Sequence, residues 1–282
     1  MCKNLVLAGI SVTVQDSAIV TKQDLYGAQF FVGKDDVGKN RAVAATPRIQ
    51  ELNPFTKVQC ITKSISTMTE SELASFHVIC MNGESLVDQC RVSKICHARG
   101  IPFYTSENSG YYGIIFADLN GHTYVSVKQG GHIDTSKAPT KMSCPSFDHF
   151  VHSNTWGKIH RALRWGLSDQ ILSMLILKQW ISSPANDSTS DQNKFREFAL
   201  LLLYSKGFDA EKDKDVISKS LAIAQALLQC TNVDLTPVCA VLGGFLAQDI
   251  VKVVSTHNEP IYNIFTFDGT TGEGRVTKAL IA

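Results

Sequence analysis

The sequence predicts an α/β fold built on a doubly wound sheet. Three observations carry that expectation. Strand-like and helix-like stretches alternate from Cys2 to Thr105. The run His77 to Met81, HVICM, is apolar without alternation, as in a parallel strand covered on both faces. The stretch Thr236 to Val254, TPVCAVLGGFLAQDIVKVV, is apolar on nearly every helical face, as in a buried helix.

Taken in order, Cys2 to Leu7 read as the end of a helix stopped by Gly9. Ile10 to Gln15 alternate as a strand, and Thr21 to Phe31 form a polar-to-aromatic loop. Asp35 and Asp36 are placed to cap the helix through GKNRAVAATPRIQELNP, which Pro47 should kink or restart. Lys57 to Ile65 supply a second strand, and Thr69 with Glu72 fits a capping box. Glu84 to Ala98 is an amphipathic helix closed by Gly100, followed by a short strand from Ile101 to Thr105. Tyr111 to Ala117 and Thr123 to Lys128 read as antiparallel strands split at Asn120-Gly121. Gln129 to Cys144 is polar and glycine-rich, an exposed crossover.

Helical periodicity returns over Trp156–Trp180, Asn193–Tyr204 and Val216–Cys230. Ser182–Gln192 and Ser205–Asp215 between them read as solvated linkers, and the charges of AEKDKD as wet surface. In the last helix Pro237 suits the first helical position. Gly243 and Gly244 let another backbone come close, and Asp249 and Lys252 mark the wetter end. Ile261 to Asp268 is a strand turning at Asp268-Gly269. Three regions are expected: strands and helices over 1–128, a crossover and helical segment over 129–235, and a C-terminal part, 236–282, completing the same domain.

With 282 residues the chain can form one large domain or two small ones, and its 44% hydrophobic content supports a sizeable core. A net charge of +1 leaves no footprint for nucleic acid or an acidic membrane surface. The eight cysteines include no C-x-x-C pair. They read as reduced, buried thiols of an intracellular protein, not as a disulfide framework or a zinc site. The apolar runs Ile171–Leu177 and Phe198–Tyr204 are too short to span a bilayer, and no targeting segment or internal repeat is visible.

Asp16 is the one candidate binding residue. It follows the first strand, where Rossmann-like folds hold a ribose hydroxyl, so it reads as a vestigial nucleotide contact. Helix, strand and acid make the second half of a mononucleotide unit. No first strand and no G-x-G-x-x-G precede Cys2, so the expectation is an N-terminally truncated chain. Each apolar side chain uncovered by losing a central strand is worth roughly 1.5–3 kcal/mol. The sum, on the order of 10 kcal/mol, rivals a domain's stability, so poor folding alone is expected. Cys239, near a helix N-terminus where thiol pKa falls, is expected to be a buried structural thiol. Cys80, Cys90 and Cys96 read the same way. His77, His97, His122, His149, His152 and His160 show no ligand spacing, and the His149/His152 interval falls in a predicted loop. No catalytic residue and no metal site is expected.

NLVLAG, GAQFF, VGKNRA, ELNP, YYGIIFADL, and PVCAVLGGFLAQDIVKVVS followed by YNIFTFDGTTGEG extend along essentially the whole chain. Together they resemble the non-catalytic, smaller subunits of SUMO-activating enzymes. These belong to the adenylating superfamily shared with ubiquitin activation and with bacterial molybdopterin and thiamine biosynthesis. The resemblance implies a Rossmann-like doubly wound sheet, here with its first strand and Gly-rich loop absent, plus a helical insertion and antiparallel strands. Active members supply an arginine in an R-Q-F step, where this chain has Ala28 before Gln29-Phe30. Their lysine of V-G-x-x-K-A is Arg41, whose planar fork does not freely replace a point charge. Their metal-binding aspartate after the strand is Asn82, which carries no charge. The second acid of their D-x-D motif is Ala18, so only Asp16 remains.

The resemblance therefore implies a pseudo-active half. It would pair with the catalytic subunit of the SUMO-activating enzyme in a heterodimer and support ATP-dependent adenylation and thioester transfer of the modifier. No cofactor is expected on this chain alone, with ATP and Mg at the partner subunit's site. SUMO would be met through the complex, and neither nucleic acid nor membrane would be a partner. The compartment implied is nucleus and/or cytoplasm. A free-standing ubiquitin-like or sulfur-carrier adenylating enzyme and a truncated scaffold form stay open as alternatives.

Overall fold

The computed structural model describes residues 1–26, 29–128, 132–164, 166–183, 192–231 and 233–279. In chain order, the N-terminal part holds α1 (Cys2–Leu7), β1 (Val12–Gln15), α2 (Arg41–Gln50), β2 (Val58–Ile61) and α3 (Glu70–Leu73). Then come β3 (Ile79–Asn82), α4 (Leu86–Arg99), β4 (Phe103–Ser109), β5 (Tyr112–Asp118), β6 (Thr123–Tyr124) and β7 (Thr140–Lys141). The remainder is α5 (Phe147–His152), α6 (Trp156–Ala162), α7 (Asp169–Ile181), α8 (Gln192–Ser205), α9 (Lys214–Leu228), α10 (Thr236–Ser255), β8 (Ile264–Asp268) and β9 (Glu273–Thr277). These residues divide into two units. Unit 1 is Met1–Phe76, Thr123–Thr140 and Asp234–Pro260; unit 2 is His77–His122, Lys141–Val233 and Ile261–Ala282.

In unit 1, α1 ends at a left-handed Gly9 (φ +85°), as its sequence predicts. β1 and β2 pair in parallel, Val12 beside Val58 through Gln15 beside Ile61. Val6, Ile49 and Val58 form a small core, with Val12, Val14 and Leu52 packed on it. Asn40, not Asp35 or Asp36, caps α2, accepting the Val43 N–H at 3.1 Å. Asp36 is instead drawn inward to Arg48 (2.6 Å) and Lys39 (3.1 Å). Pro47 lies inside α2 without restarting it. The second strand stops at Ile61, short of the predicted Ile65, which opens a 3-10 turn. The Thr69/Glu72 capping box forms as predicted.

The helix α10 departs from its reading. One face is buried, through Val238, Leu242, Leu246, Ile250 and Val253, but Phe245 and Val254 are about half exposed. By length and composition it could cross a membrane, yet it packs on α1 as a core helix does. Asp249 does not mark a wet end: it is 2% exposed, one turn from Lys252 at 3.8 Å. The predicted close approach holds for Gly243, where a Cβ would lie 2.7 Å from the Met1 nitrogen, but not for Gly244, which faces open space.

Unit 2 is built on a five-stranded mixed sheet of order β3-β4-β5-β8-β9. β3 and β4 are parallel, in register from Ile79 beside Phe103, and the other pairs are antiparallel. The Gly100 closure of α4 is left-handed, as predicted (φ +65°). The hairpin lies elsewhere than predicted. Ser109 pairs with Tyr112, leaving a two-residue loop whose first member, Gly110, has φ +53°. Asn120-Gly121 makes a turn, but β5 pairs with β4 and β8. Only Thr123 and Tyr124 of the predicted second arm are strand. The 132–144 part of the crossover is exposed except at Asp134, Met142 and Cys144.

Trp156–Trp180 is two helices, because the chain breaks at Gly166 (φ +68°) and Ser168 then caps α7. Trp156, Trp180, Phe103, Tyr104, Phe150 and Phe195 are fully buried. Phe147 meets Phe116 edge-on, Phe116 meets Phe150 at a tilt, and Phe150 stacks on Trp156, at centroid distances of 5.2–5.9 Å. Ser205–Asp215 is more than wet surface. Lys206 is buried with Nζ 2.9 Å from the Val151 carbonyl, and Asp213, 5% exposed, pairs with Arg161 at 2.6 Å. Of the predicted Ser182–Gln192 linker, 184–191 lie outside the described residues.

Candidate functional site

The site predicted at Asp16 lies in unit 1, at the C-terminal end of β1. The Asp16 N–H donates to the Ile61 carbonyl (3.0 Å), which fixes the carboxylate at the end of the parallel pair. Both of its oxygens are engaged by the protein. Oδ1 accepts the Ala18 N–H at 2.8 Å, and Oδ2 accepts Arg41 Nε at 2.8 Å. Arg41 Nη1 reaches Asp24 Oδ1 at 3.1 Å. Asn40 Nδ2 donates to the carbonyls of Asp16 (2.8 Å) and Ala18 (3.2 Å), while its oxygen caps α2. One short loop, the cap of α2 and the first residue of that helix therefore close around Asp16.

The electrostatics follow from this closure. Burial pushes the Asp24 carboxyl up, but the Thr21 N–H and hydroxyl and the Arg41 guanidinium outweigh it and hold the group below its usual range. Burial lowers Arg41, but its bonds to Asp16 and Asp24 raise it further above its ordinary value. A nucleotide hydroxyl at Asp16 would have to displace Arg41 or the Ala18 N–H. The fork of Arg41 thus neutralises the acid it stands beside. Ala18, where a second acid was looked for, contributes only backbone. Ala28 lies outside the described residues.

In unit 2, Asn82 closes β3. Its Oδ1 accepts the Ser106 hydroxyl at 2.8 Å, and Gly83 follows at φ +69°. A neutral amide oxygen already holding a donor is a weak partner for a divalent cation. The cysteines follow the expectation of buried thiols only in part. Cys90, Cys96 and Cys144 are buried, Cys80 and Cys239 are partly buried, and Cys60 is exposed. Burial raises the Cys239 thiol, and Asp234 raises it further, so the helix N-terminus does not activate it.

Three features of unit 2 were not legible as spacing patterns. The buried Asp118 meets His97 Nδ1 at 2.8 Å; burial pushes its carboxyl up to about 6, against the pull of His97. A cleft of about 570 Å³ is lined by charges of both signs, among them Asp169, Asp213, Asp268, Lys212, Lys219 and Arg275. Cys90, Asp148 and His152 bring three metal-ligating atoms within 4.8 Å of one another. His149 and His152 sit on the helix α5, not in a loop, and only His152 belongs to that cluster. The one available signal was Asp148/His152 at i, i+4, which needs the helix to be recognised first.

A profile of the ThiF family matches residues 1–281. The SUMO-activating enzyme subunit 1 of Homo sapiens is 34% identical to this chain over 297 aligned residues, covering 98% of it and 84% of its own length. The Rattus norvegicus protein of the same name is 33% identical, at 98% and 83% coverage. The Dictyostelium discoideum one is 27% identical, at 97% and 81%. A family profile matched almost end to end, over an α/β chain whose first strand is followed by the expected acid, places this protein in the ThiF family.

Proposed function

We propose that this chain is the non-catalytic subunit of a heterodimeric SUMO-activating enzyme. In this reading it supports a catalytic partner that adenylates the modifier with ATP and carries it as a thioester. The carrying observation is the closure of Asp16 by Arg41 and the Ala18 N–H. The nucleotide-type carboxylate is present but committed to the protein itself. Asn82, neutral and bonded to Ser106, supports the reading from unit 2. The relatives' names supply the modifier. ATP and Mg then belong to the partner's site, SUMO is met through the complex, and the chain works in the nucleus or cytoplasm.

The test is co-expression with a larger subunit bearing the thioester cysteine. The expected result is a stable one-to-one complex that charges SUMO in the presence of ATP and Mg, while this chain alone gives no pyrophosphate exchange. Exchange by the isolated chain would instead favour a free-standing adenylating enzyme, and the proposal would be withdrawn.

A further inference from the structure

The helices α4 and α5 meet in unit 2 through a buried bond from the Phe147 N–H to Ser93 Oγ at 3.0 Å. That contact puts the next residue, Asp148, over one turn of α4, the turn carrying Cys90 and Lys94 at i, i+4. On α5, Asp148 and His152 are likewise i, i+4. Two one-turn pairs thus face each other, and the Cys90 sulfur, an Asp148 oxygen and a His152 ring nitrogen lie within 4.8 Å of one another. Lys94 Nζ holds Asp148 Oδ2 at 3.3 Å. The other oxygen, Oδ1, is shut off from solvent and takes no hydrogen bond, although His152 Nδ1 is 3.1 Å away. That nitrogen is 2.9 Å from the Asp148 carbonyl.

From this geometry we infer a binding site for a divalent transition-metal ion of the zinc class, with Cys90, Asp148 and His152 as its three protein ligands. Sulfur, oxygen and nitrogen donors together suit zinc, which accepts all three; calcium and magnesium take oxygen alone. Ligands about 2.0–2.3 Å from a zinc ion stand roughly 3.5 Å apart, so atoms now within 4.8 Å of one another need to close by about 1.3 Å at most. The His152 side chain, two-thirds exposed, can turn from the carbonyl to the ion. Lys94 on the second carboxylate oxygen orients the first toward the ion, the arrangement that commonly supports a ligating carboxylate. The unfilled acceptor at Oδ1 gains the partner it lacks. The ion clamps α5 on α4.

The test uses the full chain, titrated with Zn²⁺ against a chelating dye and with Co²⁺ by absorption. One Zn²⁺ per chain is expected, with a thiolate-to-cobalt charge-transfer band that Cys90→Ser abolishes. His152→Ala and Asp148→Asn should each weaken Zn²⁺ binding by roughly tenfold or more, while His149→Ala, a neighbour outside the cluster, leaves it unchanged. The inference fails if wild type binds no stoichiometric Zn²⁺, if the band persists in Cys90→Ser, or if His152→Ala binds as wild type or no worse than His149→Ala. Circular dichroism checks each variant. Should Cys90→Ser not fold, the exposed His152 variant decides alone.

Discussion

Unit 1 is organised by charged side chains, unit 2 by buried aromatic ones. In unit 1 the loops are tied by Asp16–Arg41–Asp24, by Arg48–Asp36–Lys39 and by Lys63–Glu72. Its apolar core holds the small group around Val6, Ile49 and Val58 and the buried aliphatic face of α10, with no fully buried aromatic side chain among the described residues of the unit. In unit 2 Trp156, Trp180, Phe103, Tyr104, Phe150 and Phe195 are fully buried under a five-stranded sheet. The contrast teaches where each unit is fragile. Packed aromatic volume resists pH and yields to steric change. Charged closures tolerate size changes and yield to acid. The proposed function draws on the second property, because the acid that could hold a nucleotide is locked by the same kind of closure that shapes the unit.

The largest effect expected is steric and falls in unit 2. The Gly157 N–H donates to the Lys206 carbonyl at 3.0 Å, and a Cβ at Gly157 would sit 2.0 Å from the Gly207 carbonyl oxygen. Both sides of that contact are backbone, so neither can rotate away. Gly157→Ala should destabilise the protein by about 3 kcal/mol or more, read as a lower urea midpoint. A loss below about 1 kcal/mol would show that unit 2 is less tightly packed than its buried aromatics imply.

Next is the closure at Asp16. Arg41→Ala removes the donor to both Asp16 and Asp24. Charged hydrogen bonds of this kind contribute more than exposed pairs, but solvent reaches the guanidinium, so a loss of about 1 kcal/mol is expected. Arg41→Lys should recover part of it, because a lysine can meet only one of the two acids at a time. Equal stability for wild type and Arg41→Ala would mean the closure is incidental, and the pseudo-active reading would lose its main support.

How much of this was legible depends on how local each signal is. The Thr69/Glu72 box and the Gly100 stop each rest on residues within a turn or two, and each formed; HVICM gave a parallel strand only from Ile79, at the end of the sheet order and with alternating burial, because covering of both faces is a tertiary matter. The hairpin was misplaced because two turn signals lie close together. Gly110 took the tight loop, since Ser109–Tyr112 pairing aligns β4 with β5 over seven residues each. Asp249 was misread because a charge in an apolar helix looks like a water-facing mark, whereas its surroundings are tertiary. The position of Asp16 was readable from strand and acid; its engagement by Arg41 was not, because β1 and α2 are joined only through the fold. The same holds for Cys90 with Asp148 and His152, which come from separate helices.

A smaller effect should separate the units by pH. In unit 1 Asp36 is held at about 2 by the Gly33 N–H and then by Arg48, and Glu72 at about 2 by the Thr69 N–H and then by Lys63. Their folded values lie below the unfolded ones, near 4. Their contribution is therefore present above about pH 4 and is lost as the pH falls towards 2. In unit 2 Asp118 behaves oppositely. Burial raises it to about 6, so its contribution is present below about pH 4 and is lost as the pH rises through 6. Hydrogen exchange between pH 5 and 3 should show amides of α3 and of the Gly33–Asp36 turn losing protection while those around Asp118 do not. Glu72→Gln should flatten the response of α3. Uniform loss across both units would erase the distinction.

The smallest effect tests whether close backbone approach matters in unit 1 as it does at Gly157. The two neighbouring glycines of α10 differ only in what they face. A Cβ at Gly243 would meet the Met1 nitrogen at 2.7 Å, while at Gly244 it would meet nothing within 4 Å. Alanine in a helix interior gains roughly 0.5–1 kcal/mol over glycine where space allows. Gly244→Ala should therefore be stabilising by about that amount. Gly243→Ala should forfeit the gain or reverse it, because α1 must shift to admit the methyl group. The shift is available, since the atom it meets is at the start of a short helix, so the penalty stays well under that of Gly157→Ala. If both variants gained equally, the packing of α1 on α10 would not depend on Gly243, and unit 1 would owe still more of its cohesion to its charged closures.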